Sequence, residues 1–450
     1  MALTMHEAAR VLHGELHGAG AHFLGLSTDT RTLRPHNLFV ALQGPNFDGH
    51  AFVEEAARKG AAGAAVAHPV ESALPQIAVE DTRLALGRLA AHWRSRFDIP
   101  LVAVTGSNGK TTVKEMIAAI LSQRGRVLAT RGNLNNDIGV PLTLARLDGA
   151  HTHAVIEMGA NHPGEIGYLT GLARPTVALL TNAGPAHLKG FGSLEGVARA
   201  KGEIFAGLAD DGVAVVNRDD RFFEYWAGLN AGRRMLDFGF DPDAAVHGEW
   251  RPEGTGGRLR LATPAGPVEI GLPLPGRHNA INAMAATAAA LAAGAGLDDV
   301  RAGLESMQGV AGRLQLHRAG GRTLIDDSYN ANPASLAAAL EVLAQFDPPR
   351  WVVLGDMGEL GPDAAALHTE AGERIRAAGV DGLLCVGTLA TAAARAFGAG
   401  AQAFADIEAL TAVLDELLPP FATVLVKGSR AAAMERVVEW LVARAGPERG

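Results

Sequence analysis

The run Leu101-Val102-Ala103-Val104-Thr105-Gly106-Ser107-Asn108-Gly109-Lys110-Thr111-Thr112 constrains this 450-residue chain more than any other. Four apolar residues end in a glycine-rich turn. Lys110-Thr111-Thr112 then open a segment in which Val113, Met116, Ile117, Ile120 and Leu121 recur as one helical stripe. A buried strand that turns through glycines into a helix aims backbone N–H groups and a helix N-terminus at one point, where an anion binds. Lys110 adds a point charge and Thr111 a hydroxyl suited to Mg²⁺, so residues 105–112 predict a site for the phosphates of ATP. Only two residues separate Gly106 from Gly109, where the common phosphate loop has four, so a plain glycine-rich turn stays open as the alternative.

A strand feeding a helix in this way predicts an α/β fold, and the rest of the chain agrees. Strands are expected near 101–104, 154–157, 176–181 and 213–217, with helices near 111–123 and 195–208 between them. That rhythm gives a parallel sheet covered on both faces. Residues 236–275 read as antiparallel ribbon, because Arg258-Leu259-Arg260-Leu261 alternates and Thr263-Pro264-Ala265-Gly266 can turn. A second alternating series, with strands near 323–326, 351–355, 382–386 and 423–427, predicts a doubly wound third domain beyond a hinge at Gly309-Val310-Ala311-Gly312. Residues 1–98 mix short strands and helices, 37–42 among the strands. The expected division is therefore 1–98, 99–311 and 312–450, as the length also suggests.

Composition narrows the partners. A net charge of −8 with no basic run gives no reason to expect nucleic acid or a membrane surface. The single cysteine, Cys385, sits in the apolar run 382–387 and reads as core, a usage that fits a reducing cytoplasm. Thr4-Met5-His6-Glu7 reads as a helix cap, not as the start of a signal peptide. Residues 280–297 lack charge, but they are mostly alanine and read as a packed internal helix, not a membrane span.

Chemistry-bearing residues gather where strands should end. Glu157 closes a strand and suits a metal bridging phosphates, or is a solvated loop acid. His187 follows the next strand, and Lys201, taken alone, reads as an ordinary surface lysine. Asn279 and Asn282 fall on one helix face beside His278, where amides suit adenine or simply cap the helix. Asp326-Asp327 at a strand end is costly unless solvated or used. Lys427-Gly428-Ser429-Arg430 sets a cation and a hydroxyl where a strand meets a helix, an arrangement suited to a carboxylate or phosphate.

Jointly, these motifs resemble the Mur ligases, the ATP-dependent amide-forming enzymes of bacterial peptidoglycan synthesis. Residues 105–112, Glu157, His187, Lys201, His278-Asn279 with Asn282, Arg313 and Asp327 appear in that family's order and spacing. The stretches 132–141, 326–333, 355–361 and 427–435 most resemble the branch that joins D-alanyl-D-alanine to UDP-N-acetylmuramoyl-tripeptide. The Asp-Asn-Pro-Arg of the diamino-acid-adding branch is absent.

The resemblance implies a cytoplasmic, monomeric ligase with three tasks: a UDP-substrate domain at 1–98, an ATPase domain at 99–311, and a domain at 312–450 that closes over ATP and binds the dipeptide. It implies two Mg²⁺ sites served by Thr111, Glu157, His187 and Lys201, with Lys201 carbamylated by CO₂. It places Thr105, Gly106, Ser107, Asn108, Gly109, Lys110, Thr111, Thr112, His278, Asn279, Asn282, Arg313 and Asp327 around ATP. Lys110, Glu157, His187, Lys201 and Arg313 are the expected catalytic set. Ser27, Thr28, Asp29, Thr30, Arg31, Asp48 and His50 are expected at the UDP moiety, and Asn135, Asn136, Asn330, Lys427 and Ser429 at the rest of the substrates. The implied reaction passes through an acyl phosphate that the dipeptide's amine then attacks. The alternatives are another Mur-type or folylpolyglutamate-synthase-like ligase, and an ATP-binding switch without ligase activity.

Overall fold

Three large sheets, beside two small two-stranded ones in the N-terminal unit, organise the chain in a computed structural model that describes residues 1–185 and 188–444. The first is five-stranded, in the order Glu15–His17, Gln76–Ala78, Gly63–Val66, Leu38–Val40, Leu26–Ser27. Its last four strands run parallel. Helix Thr82–Arg94 leaves the carboxyl edge of this sheet, capped by Asp81, whose carboxylate accepts the N–H groups of Arg83 and Leu84.

The central sheet has nine strands, in the order 126–129, 151–157, 101–105, 177–180, 213–217, 234–239, 246–253, 256–262, 268–272. The first seven are parallel and the last two return as antiparallel hairpins. The expected ribbon therefore begins at residue 246. Residues 234–239 pair parallel with 213–217, because helix Phe223–Leu229 intervenes and brings the chain back in the same direction. Alternate residues of the central strands serve opposite faces. Val102, Val104 and Val155 meet helices Lys110–Leu121 and Arg277–Ala292, whereas Ala103, Ile156 and Leu180 meet helices Glu165–Ala173 and Leu194–Gly202. The alanine-rich helix is buried, and among the described residues no helix is long and apolar enough to cross a membrane.

The third sheet orders six strands as 315–319, 322–327, 423–427, 350–355, 382–386, 401–404. All are parallel except the edge pair 315–319 and 322–327. Helices cover both faces, as doubly wound topology requires. Cys385 is buried there, and burial pushes its thiol up to about 12, which makes it inert core. The α/β, three-unit architecture is the one expected.

Candidate active site

Register in the central sheet assembles the site's floor. Val104 pairs with Glu157, and Thr105 with Leu180, so the turn after Thr105 lies between the ends of two neighbouring strands. The loop can lie so close only because Gly106 has no side chain. A Cβ there would fall 1.9 Å from Thr181 Oγ1, and its φ of 147° disfavours other residues. Residues after strand Val177–Leu180 then fix the loop's shape. Asn182 Oδ1 accepts from Asn108 N–H at 2.9 Å, and Thr181 Oγ1 donates to Asn108 C=O at 2.7 Å. Ser107 and Gly184 exchange two further bonds. Thr105 Oγ1 donates to Met158 C=O at 2.8 Å. Gly109, at φ 81°, caps the helix without a side-chain bond, so the first-turn N–H groups stay available.

Lys110 folds back onto this loop, with Nζ donating to the carbonyls of Gly106 and Ser107 at 2.7 and 3.2 Å. Burial lowers its pKa, with Glu157 opposing and Arg313 adding to the shift. Glu157 is 2% exposed, so it is no solvated loop acid. Its Oε1 accepts from Asn135 Nδ2 at 2.8 Å, whereas Oε2 is buried without a hydrogen-bond partner. An orphaned carboxylate oxygen in the interior is costly unless a cation answers it.

Lys201 overturns its reading as a surface lysine. It is 1% exposed, on the inner face of helix Leu194–Gly202, with Nζ 5.4 Å from the centre of the Phe191 ring. Burial first, and the nearby Lys110 charge second, lower its pKa to about 7. His187 lies outside the described residues.

These groups share a cavity of about 1070 Å³. Lys110, Thr111, Asn135, Asn136, Glu157 and Lys201 line it from the central unit. Arg313, Asn330 and Ser429 line it from the C-terminal unit. The guanidinium of Arg313 lies 4.3 Å over the Tyr329 ring, which holds it at the cavity wall.

Beside this cavity, His278 has a buried Nδ1 without a partner, and burial with the Lys427 charge lowers its pKa to about 4, so the ring is neutral. Asn279 Nδ2 donates to Pro275 C=O, and Asn282 Nδ2 to Asn279 Oδ1, so the two amides share one helix face as expected. Asn282 also abuts the loop: a Cβ on Gly109 would meet its Oδ1 at 2.5 Å. Asp327 and Lys427 occupy matched positions of parallel strands and form a buried ion pair, Lys427 Nζ also donating to Asn330 C=O at 3.0 Å. Burial raises the pKa of Asp327 and lowers that of Lys427. Neither lines the cavity; Lys427 sits behind its wall, in contact with Asn330, while Asn330 and Ser429 face the cavity. Asp326 accepts from Gly312 N–H and from Ser328.

In the N-terminal unit, Ser27, Thr28, Asp29, Thr30, Arg31, Asp48 and His50 lie off the cavity wall. Arg31 forms a fork on Asp29, and Asp48 holds His50 Nδ1 at 2.6 Å while His50 Nε2 accepts from Ala67 N–H. They gather at the carboxyl edge of the five-stranded sheet, the edge from which Asp81 and Arg83 do reach the cavity.

Several lining residues escaped the sequence reading. Arg83 pairs with Asp137, 54 positions away, and no local pattern announces that. Glu165 and Tyr168 are equally silent. Tyr329 and Asn332 lay inside the quoted stretch 326–333, where an aromatic and an amide among acids at a strand end were the available signal.

Known proteins resemble this chain throughout. The Mur ligase family catalytic domain matches residues 22–94, the Mur ligase middle domain 104–290, and the Mur ligase glutamate ligase domain 312–430. The UDP-N-acetylmuramoyl-tripeptide–D-alanyl-D-alanine ligase of Escherichia coli is 47% identical, over 98% of this chain and 98% of that protein. MurF from Acinetobacter baumannii superposes with a TM-score of 0.93 at 37% identity, covering 98% and 99% of the two chains. MurF ligase from Thermotoga maritima, solved in complex with ADP, gives 0.84 at 29% identity, covering 94% and 97%. With such likeness along its whole length, the chain belongs to the Mur ligase family, the ATP-dependent amide-forming ligases.

Proposed function

We propose that this chain joins D-alanyl-D-alanine to UDP-N-acetylmuramoyl-tripeptide, converting ATP to ADP and phosphate and yielding the UDP-pentapeptide precursor of peptidoglycan. One observation carries the reading of the site. Lys110, Thr111, Glu157, Lys201 and Arg313, drawn from distant parts of the sequence, converge on one cavity walled by all three units. The curated relatives bearing that activity's name support the choice of substrates.

Each residue's task follows from its surroundings. The loop 105–112 receives the triphosphate on backbone N–H groups, and Lys110 exchanges its two carbonyl bonds for anionic phosphate oxygens. Arg313, braced by Tyr329, neutralises charge as the peptide carboxylate meets the triphosphate. His278, Asn279 and Asn282 serve adenine, the unpartnered Nδ1 of His278 being free to do so. Asp327 serves the ribose from a buried pair with Lys427. Asn135, Asn136, Asn330 and Ser429 face the peptide and the incoming dipeptide. The UDP moiety takes the carboxyl edge of the first sheet, at 27–31 and 48–50.

The donors present fit Mg²⁺. Among the described residues no group of three or more His, Cys, Asp or Glu forms a cage, which suits an ion that keeps water and phosphate ligands. Thr111 and the orphaned Glu157 Oε2 would hold one ion, and Lys201 with His187 would serve a second. Bound there, Mg²⁺ supplies positive charge to phosphate oxygens. A pKa of about 7 gives Lys201 a large neutral fraction near neutral pH, and that amine can add to CO₂ with loss of a proton and become an anionic carbamate. We place the enzyme in the cytoplasm, acting as a monomer on small-molecule substrates.

Mass spectrometry of protein, ATP, Mg²⁺, UDP-tripeptide and D-alanyl-D-alanine tests this. The expected result is UDP-pentapeptide, absent when either substrate is withheld. Folded, ATP-binding protein that makes none from either the lysine or the diaminopimelate tripeptide overturns it.

A further inference from the structure

Among the described residues, an amide pair ties the glycine-rich loop to the C-terminal unit. Asn332 Nδ2 donates to Asn108 Oδ1 at 2.8 Å. Both ends are fixed independently of each other. Asn332 caps helix Pro333–Leu343, its Oδ1 accepting from Ser335 N–H at 2.9 Å, and this decides which end of the amide faces Asn108. The backbone of Asn108 is already committed, its N–H to Asn182 and its C=O to Thr181 and Asn182. Only its side chain is left to meet the other unit. Asn332 is 7% exposed, so the bond is sheltered from competing water, and it shares the cavity wall with Arg313.

We propose that the Asn108–Asn332 pair is a latch that registers the C-terminal unit, and with it Arg313, against the nucleotide loop. Asn332 is then a positioning residue for ATP, acting through Asn108. The inference rests on reading 105–112 as the ATP loop.

A double-substitution cycle tests it. Serine at 332 still caps the helix but is too short to reach Asn108. Asn332→Ser and Asn108→Ser should each raise the KM for ATP about fivefold, the weight of one sheltered hydrogen bond. The KM for UDP-tripeptide should not move, and the double variant should be no worse than either single one. A merely structural Asn332 would lower the active fraction and hence kcat, leaving the KM for ATP alone. A wild-type KM for ATP in either single variant, or effects that multiply in the double one, overturns the latch. Lys110→Ala separates the two claims. Wild-type turnover in that variant sinks the loop reading, whereas a loss of at least about 100-fold beside unaffected serine variants sinks the latch alone.

Discussion

Lys201 shows how one residue can cost stability in order to be useful. In the fold its amine sheds its proton near pH 7, because burial and the Lys110 charge disfavour the ammonium, while an unfolded chain keeps that proton to about 10.5. Between these values the unfolded chain binds one proton more, so stability rises with pH across that window. Below about pH 7 the cost of the buried side chain is fully present. Lys201→Met keeps the length and removes the charge. In CO₂-free buffer it should melt higher than the parent at pH 6, with the gap shrinking towards pH 10, and it should not ligate. A gap that stays constant with pH would show that the ammonium carries no such cost. The sequence could not announce this burial, since Arg199 and Lys201 look alike on paper and only the packing of helix Leu194–Gly202 turns Lys201 inward.

Elements were the most legible part of the molecule. The run 101–112 declares strand, turn and helix because each demands a different residue pattern, and all three lie where expected. What stayed hidden depended on partners far off in sequence. The direction of strand Arg234–Gly239 follows from the short helix before it. The Asp327–Lys427 pair exists because two parallel strands end in register. Residue patterns named both carboxylates of 326–327 as costly, but only the fold shows what offsets each: strand pairing brings Lys427 to Asp327, and the Gly312 N–H with Ser328 answers Asp326. The loop itself is held by closeness more than by sequence. Gly106→Ala would drive a Cβ into Thr181, which also anchors Asn108 through its hydroxyl, so the Thr105–Lys110 turn must lift off strand Val177–Leu180. ATP affinity measured by calorimetry should fall at least about tenfold, from strain of roughly 1–2 kcal/mol plus the lost anchor. Because the sheet core lies below the loop, far-ultraviolet circular dichroism should be unchanged. Undiminished affinity would mean the close approach is dispensable.

Across the whole molecule, the units are joined unequally. The N-terminal unit shares apolar packing with the central one: Ile138 and Leu142 pack on its core, and Ala90 of helix Thr82–Arg94 is buried in the central cluster. The Arg83–Asp137 pair adds to that seam. No apolar cluster among the described residues spans the boundary near Gly309 and Gly312; the clusters end at Met307 and resume at Leu314. What crosses there is sparse: Asn332 bonds to Asn108, Arg313 reaches the cavity, and the Val342 side chain lies against Gly276. A broad hydrophobic seam resists opening, whereas one held by few contacts does not, so the C-terminal unit is the part able to move. Motion there would serve the proposed reaction, because an acyl phosphate survives only where water is excluded, and Arg313, at the cavity wall, moves with that unit. Dye pairs on exposed positions should therefore answer differently. A pair at Arg10 and Asp210 should report one distance throughout. A pair at Asp210 and Arg395 should shorten when ATP and UDP-tripeptide are added together, and less with either alone. Equal changes in both pairs would mean the N-terminal unit swings as well, and no change in the second would mean the cavity is built before its substrates arrive.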